Sequence, residues 1–250
     1  MTRIEAQVSF DAIAHQYDDL WSTADAGYWQ RQAVWDTIHP LFRHGDHVLD
    51  VGCGTGVDAV SLMARGVEVM AIDASGEMVH VARSKGVTAQ HLAAEQLNQL
   101  EGCYDGAVSN FGVLNCLADL ESFAGQLARL VKPGGRLALC YMGKFCAWET
   151  AHFIRLGQLR KASRRWSSGT ASTSLGIDIR YPSVRRLSQA FSPAFRLSKQ
   201  KGIGILVPPS NVSGLSRERV AFLAGIDRRF AEMPILRALS DHRLLILERI

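Results

Sequence analysis

The sequence predicts a doubly wound α/β fold: a mostly parallel, seven-stranded sheet with helices on both faces, N-terminal helices ahead of it and a C-terminal helical lid insertion. Three observations predict it. Five β-rich runs alternate with helical stretches between residues 47 and 142, and two more strand-like runs follow at Phe195–Leu206 and His242–Ile250. A glycine-rich turn sits where the first strand would hand over to the first helix.

Each element has its own signal. Residues 8–43 place Val8, Ile13, Tyr17, Leu20, Trp29, Val34, Trp35, Ile38 and Leu41 at helical spacing, and His39-Pro40 and Gly45 punctuate the end. Strands are expected at His47–Val51, Glu68–Asp73, Thr88–Leu92, Tyr104–Asn110 and Arg136–Met142. Helices are expected between them at Val57–Arg65, Gly76–Ser84, Glu95–Leu100 and Leu120–Val131. Gly66 and Gly86 stand where helix C-caps need positive φ, and Lys132-Pro133-Gly134-Gly135 reads as a turn before the fifth strand. Further on, a helix is expected over Cys146–Lys161 and a small polar loop over Ser167–Ser174. Pro208-Pro209-Ser210 opens about thirty residues of helical character, best at Val220–Phe230. The organisation expected is an N-terminal helical cap (1–45), a ligand-binding core (46–145) and a remainder (146–250). That remainder completes the sheet and carries a basic variable segment and the lid insertion (207–240), all within a single structural domain.

Composition narrows the function classes. Of 250 residues, 47% are hydrophobic and 21% charged, which excludes general disorder. No apolar run reaches the roughly 18–20 residues that span a bilayer, and no basic head with an apolar block opens the chain. Five cysteines without a CxxC argue against a disulfide framework or a zinc knuckle, so no metal is expected and the chain reads as cytoplasmic. Net charge is +4, but unevenly spread: residues 1–150 hold 10 basic and 18 acidic residues, the remainder 18 and 6. Residues 155–201 hold 11 basic residues and one acid, Asp178. Such a stretch can attract an anionic substrate, a carrier protein, a nucleic acid or a lipid surface, or form a solvated face.

The most informative stretch is Val48-Leu49-Asp50-Val51-Gly52-Cys53-Gly54-Thr55-Gly56. A strand feeding a glycine turn that opens a helix lets a ligand approach the backbone. The spacing is G-x-G-x-G, with Val57 where a dinucleotide loop has its last glycine. Asp50 adds a carboxylate, unfavourable beside a pyrophosphate and favourable beside a cation such as a sulfonium. At the end of the second strand, Asp73 is placed to accept both hydroxyls of a ribose, and Ser75 is the better N-cap for the helix that follows.

On these residues the chain resembles the class I S-adenosylmethionine-dependent methyltransferases, in the small-molecule, type 11-like group, with their Rossmann-like fold. VLDVGCGTG (48–56) looks like the family's first motif and AIDAS (71–75) its ribose acid region. Ala94-Glu95 matches the adenine position, YDGAVSNFGVLN (104–115) the fourth-strand motif and LARLVKPGGRLAL (127–139) the approach to the fifth strand. FDAIAHQYD (10–18) is similar to the element that folds over the methionine end. The resemblance covers about residues 8–142 and implies S-adenosylmethionine as cofactor. It implies that Gly52, Cys53, Gly54 and Gly56 line the cofactor with Asp50 nearby, and that Asp73 holds the ribose. Ala74 or Met78 would pack on adenine, and Ala94, Glu95 and Gln96 would edge the base. Asn110 and Phe111 would face the transferable methyl, and Tyr17 would close over the methionine portion. Met78 reads equally as simple core, and Tyr17 as a packing aromatic.

Ligands of open α/β sheets bind outside the carboxyl ends of the strands, so the acceptor is expected near 110–116, 141–152 and 207–212, with 207–240 covering it. A base is needed only if the acceptor must first lose a proton; His152, Tyr141 and His15 are the candidates. Cys116 and Cys146 read as structural thiols. The expected function is methyl transfer to an O or N atom of a small-molecule acceptor, anionic or carrier-attached. The aromatic and apolar residues Phe111, Tyr141, Phe145 and Trp148 suggest a partly hydrophobic one. The rivals are an RNA methyltransferase using the 155–201 segment and a non-catalytic S-adenosylmethionine-binding module. Ser109-Asn110-Phe111-Gly112 lacks the prolines of base-amine methyltransferases, which argues against a DNA or adenine-N6 acceptor and leaves other RNA methylation open. Oligomeric state does not follow from the sequence.

Overall fold

The computed structural model describes residues 10–22, 24–166, 171–172, 178–209 and 215–250. Seven strands form one sheet in the order β3-β2-β1-β4-β5-β9-β8. They are β1 (His47–Val51), β2 (Glu68–Asp73), β3 (Thr88–His91), β4 (Tyr104–Ser109), β5 (Val131–Met142), β8 (Phe195–Ile203) and β9 (His242–Arg249). The first five run parallel, and β9 lies antiparallel between β5 and β8. A two-stranded ribbon, β6 (Ala171–Ser172) with β7 (Asp178–Ile179), stands apart. The order reverses beside β1, so a crevice opens between the carboxyl ends of β1 and β4.

The central strands β1 and β4 are buried on both faces, which is why they read as near-continuous apolar runs, while the edge strands β3 and β8 are more exposed. Period-two alternation sorts their side chains into two cores. Leu49, Val51, Ile72, Leu139 and Tyr141 face helices α5 (Leu120–Leu130) and α8 (Val184–Phe191). Val48, Ala71, Val108, Cys140 and Leu244 face α1 (Asp25–Ile38), α2 (Val57–Met63) and α3 (Gly76–Ser84). Helix α5 shows how the sequence makes such a helix. Leu120, Phe123, Ala124, Leu127 and Leu130 form its buried stripe, and Asp119 caps it by accepting from the Ser122 N–H at 2.8 Å. A short helix α4 (Val113–Cys116) precedes it.

Four expectations need correction or completion. Residues 10–22 form no regular helix: a 3₁₀ turn (Ala14–Gln16) and a π turn (Asp18–Ser22) replace it. Side chains of this segment are tied instead to the glycine loop and to α3, as Asp11 is to Ser75 at 2.5 Å. The Lys132-Pro133-Gly134-Gly135 turn is a bulge inside β5, whose pairing with β4 shifts between Tyr104 and Gly106. The helix expected over 146–161 breaks into α6 (Ala147–Arg155) and α7 (Leu159–Ala162) at Gly157, φ 69°. Within Ser167–Ser174 only Ala171 and Ser172 are described, and they pair with β7; Ser210 and Val212 lie outside the described residues.

Because β8 runs parallel to β5, the chain leaves β8 at the carboxyl edge of the sheet. There it builds α9 (Arg217–Phe230) and α10 (Pro234–Arg237) before re-entering at His242. Val207, Val220 and Ala224 pack on Ala26 and Trp29 of α1, at the end of the sheet where the lid was expected. Among the described residues no helix is long and apolar enough to cross a membrane.

Candidate active site

The glycine loop is fixed by the backbone of the neighbouring strand. The N–H groups of Gly52 and Cys53 both donate to the Ile72 carbonyl, at 2.8 and 3.0 Å. Gly52, Gly54 and Gly56 have φ of 73°, 53° and 79°. At Gly52 a Cβ would meet Val113 Cγ2 at 2.1 Å, so close packing of α4 as well as backbone conformation demands glycine. At Gly54 nothing lies within 4 Å of such a Cβ, leaving the loop's tip open to a ligand.

Asp73 ties the loop to β2. Its carboxylate accepts from the Gly54 N–H at 2.8 Å and the Ser75 N–H at 2.9 Å. Burial raises its pKa, with those two N–H groups opposing the rise. Ser75 is the N-cap of α3, accepting from Met78 N–H at 3.1 Å. Asp50 lies fully buried beneath the loop, and its Oδ2 has no hydrogen-bond partner among the described residues. Burial, together with the charges of Asp58 and Asp73, pushes its carboxyl well up, against the opposing effect of Arg31.

A crevice of about 30 Å³ opens over the loop, lined by Gly52–Thr55, Val57 and Asp58 together with Tyr17, Arg31, Asn110 and Phe111. Five of the sequence-derived positions thus meet around it with Tyr17. Asp50 lies below and Asp73 at the loop's edge. Ala74, Met78, Ala94, Glu95 and Gln96 follow the ends of β2 and β3 outside the crevice; Met78 is buried and Glu95 exposed. Thr55 Oγ1 donates to Asp18 at 2.7 Å, and Lys85 pairs with the same carboxylate at 2.5 Å, holding residues 10–22 against the loop.

Sequence reasoning missed Arg31, Asp58 and His242. Asp58 accepts from Arg31 Nη1 at 2.7 Å, Trp35 Nε1 at 2.7 Å and Asn110 Nδ2 at 3.0 Å. Burial opposes its ionisation, but Arg31 and these donors hold its pKa below the usual carboxylate range. The guanidinium also lies 4.9 Å over the Phe111 ring. Two buried polar atoms of this cluster have no partner among the described residues: Arg31 Nε and Asn110 Oδ1. Arg31 could have been suspected as a lone cation on an otherwise packed helix; its pairing with Asp58 depends on the fold. Phe111 has φ 55°, a left-handed value that carries strain outside glycine and here turns its side chain at the tip of β4.

His242 was hidden because β9 enters the sheet from the far end of the chain. Its ring packs edge-on against Phe111 with centroids 5.3 Å apart, and its side chain is 13% exposed. Nδ1 lies 3.3 Å from Asp241 Oδ2 without hydrogen-bond alignment. Asp241 Oδ1 accepts from Arg165 Nη2 at 2.7 Å, and Arg165 in turn binds Glu149 at 2.7 Å.

The three expected bases fare differently. Tyr141 is 1% exposed within the apolar core, where alternation along β5 turns it toward Leu139 and α5, so it does not reach the rim. Burial pushes its phenol well up. His15 is exposed and faces Glu77 at 3.6 Å. His152 is half-buried on α6 with its ring against Phe153. Cys116 is exposed; Cys146 is buried, which pushes its thiol up to about 12, and its Sγ caps α6 by accepting from Glu149 N–H.

Comparison with known proteins agrees with this geometry. A family model described as "Methyltransferase domain" matches residues 48–135, the stretch from β1 to the β5 bulge. Demethylmenaquinone methyltransferase of Symbiobacterium thermophilum is 31% identical over 160 residues, 59% of this chain and 61% of that one. Residues 48–135 thus resemble a methyltransferase domain, and the solved structures share the fold. The chain spans about three fifths of the length of the curated relatives it matches. Among solved structures, the CcbJ methyltransferase from Streptomyces caelestis superposes with a TM-score of 0.64 at 17% identity, covering 98% of both chains. The 1,6-didemethyltoxoflavin-N1-methyltransferase of Burkholderia thailandensis, with bound S-adenosylhomocysteine, gives 0.61 at 16% identity, covering 98% of this chain and 88% of that one.

The cofactor this resemblance implies is S-adenosylmethionine, and the residues here fit it. The unpartnered Arg31 Nε and Asn110 Oδ1 offer a donor and an acceptor to an amino acid's carboxylate and ammonium. Asp73 keeps lone pairs for ribose hydroxyls, and the open side of Gly54 admits the ligand to the backbone.

Proposed function

We propose that this chain is a methyltransferase that moves the methyl group of S-adenosylmethionine to a small, partly apolar acceptor. The observation that carries the reading is the crevice over the glycine loop, where a buried donor and a buried acceptor stand unpartnered beside Phe111. The cofactor supplies an activated methyl on a sulfonium; the chain's own task is alignment and exclusion of water, worth about 7–11 kcal/mol in favourable cases. Arg31 and Asn110 orient the amino-acid end, Asp73 the sugar, and Tyr17 closes the crevice with residues 10–22.

The acceptor enters from the carboxyl edge, past Phe111 and beneath residues 207–209 and 215–240. His242 takes over the role first assigned to His152, Tyr141 and His15: it receives the acceptor's proton, with Asp241 and Arg165 fixing the charge behind it. Beyond the exit of β4, a groove of about 420 Å³ joins Leu114, Leu117 and Leu120 with Arg180, Tyr181 and Arg186. Asn115 holds it in place, donating to the carbonyls of Met142 and Arg180 at 3.0 and 2.6 Å. Apolar walls with guanidinium groups suit an amphipathic acceptor that is anionic or carrier-attached, and the relatives' name points to a quinone-like ring.

The RNA reading loses support from the charges themselves. Of the 11 basic residues in 155–201, Arg164, Arg165, Arg186, Arg196, Lys199 and Lys201 are engaged by acids or by backbone and hydroxyl oxygens of the chain. A reducing, cytoplasmic setting suits the five free cysteines.

The test is calorimetry with S-adenosylhomocysteine, then label transfer from S-adenosylmethionine to a demethylmenaquinol analogue and to small-molecule and RNA pools. Binding is expected, weakened about 10- to 100-fold by Asp73→Asn, together with transfer to a small molecule. Absence of binding sinks the cofactor reading, transfer to RNA alone sinks the acceptor class, and binding with no transfer favours the non-catalytic module.

A further inference from the structure

Immediately past the acceptor edge the chain builds a protruding tip that the site does not use. Residues 154–161, Ile-Arg-Leu-Gly-Gln-Leu-Arg-Lys, are all exposed. Ile154, Leu156 and Leu159 show 54%, 49% and 66% of their surface to solvent, and Trp166 adds 51%. Arg155, Arg160 and Lys161 alternate with them, and no Asp or Glu occurs anywhere in residues 150–177.

This tip is built, not frayed. Gly157 turns the chain in the left-handed region while its N–H donates to the Ile154 carbonyl at 2.9 Å, and the Gln158 N–H donates to Phe153 at 2.9 Å. On the inner side Trp148 Nε1 donates to the Leu206 carbonyl at 2.9 Å. Glu149, 3% exposed, binds both Arg164 and Arg165, and the Trp166 ring stacks on Phe145 at 5.4 Å. Three aliphatic side chains are therefore held outward on a rigid support among cations, an arrangement unfavourable in water and favourable at an interface.

A second exposed apolar surface exists on α9 and α10, with Phe222 at 70% and Ile235 at 79%. Three of the cations around it pair with acids: Arg217 with Asp25, Arg228 with Asp36 and Lys199 with Glu232. Among the described residues no acid pairs with Arg155, Arg160 or Lys161. A protein partner would need a groove shaped to a convex tip, whereas a lipid surface accepts any protruding apolar group and its anionic headgroups complement the cations.

We propose that residues 154–161, flanked by Trp166, dock the protein peripherally on an anionic lipid surface, presenting the acceptor edge of the sheet to the membrane. This inference stands apart from the proposed function, since it concerns where the edge sits and not which atom is methylated.

Sedimentation of the full chain with phosphatidylcholine vesicles, with and without phosphatidylglycerol, tests it. Binding is expected only with phosphatidylglycerol, weakening as salt is raised. Replacing Arg160→Gln with Lys161→Gln should weaken it about 30-fold, and Leu156→Gln with Leu159→Gln at least about ten-fold. Unchanged melting temperatures of both variants would show that neither loss reflects unfolding. Failure of the wild-type chain to bind, or equal binding by the variants, overturns the proposal. Lipid binding that survives while the same substitutions abolish self-association in sedimentation velocity overturns it too, and makes the tip a protein interface.

Discussion

His242 and Arg31 show how single side chains acquire function from their neighbours. Arg31 is held by Asp58 and caps Phe111, so it is positioned before any ligand arrives. His242 leans on the other partner of that ring contact, with Asp241 behind it. If His242 takes the acceptor's proton, His242→Gln should lower kcat about 10²- to 10⁴-fold. S-adenosylhomocysteine affinity should stay unchanged, because the imidazole belongs to the acceptor side. Equal turnover by the variant across the pH range would take His242 out of the chemistry.

Between elements, residues 10–22 act as a strap. Asp18 reaches Thr55 in the glycine loop and Lys85 just beyond α3, and Asp11 reaches Ser75 at its cap. With the strap closed the crevice measures about 30 Å³, room for about one water. The strap borders the crevice and is placed to slow the exchange of an adenosyl ligand. Thr55→Val combined with Lys85→Gln removes two hydrogen bonds from Asp18, each with a charged partner, and should speed dissociation of S-adenosylhomocysteine about ten-fold or more in stopped flow. A dissociation rate indifferent to both changes would show that the strap does not gate the site.

For the whole molecule, the sheet's last strand is tied to α6 through a buried charge cluster. Burial opposes ionisation of both carboxylates, yet Arg164 and Arg165 hold Glu149 below its ordinary pKa, and His242 and Arg165 hold Asp241 below its own. Depressed folded-state values mean the cluster stabilises the fold above the unfolded carboxylate pKa, about 4, and that this contribution disappears as pH falls further. Melting temperature should therefore drop below about pH 4. Arg165→Met leaves Asp241 without its guanidinium and Glu149 with Arg164 alone, and should cost about 3–5 kcal/mol near neutral pH by urea denaturation, with a flatter acid limb. An acid limb as steep as that of the wild-type chain would assign the loss to other groups.

The order of strands and helices from 47 to 142, the glycine loop, the Ser75 cap and the acid at Asp73 were all legible in the sequence. Each depends on local spacing: alternation buries a strand, a period of 3.6 buries a helix face, and a tight turn demands glycine. Other features were not legible. The irregular strap at 10–22, the bulge in β5, the burial of Tyr141, the Arg31–Asp58 pair and the approach of His242 to Phe111 join residues far apart in the chain. Tyr141 and Met142 are neighbours in sequence, yet one lies in the core and the other half-exposed, as the sheet's alternation and register dictate. The sequence by itself determined the fold class and the cofactor loop, because local backbone geometry specifies them. Only the tertiary structure decided which distant side chains meet around the crevice, because that depends on β9 entering antiparallel beside β5 and on charges meeting across the fold.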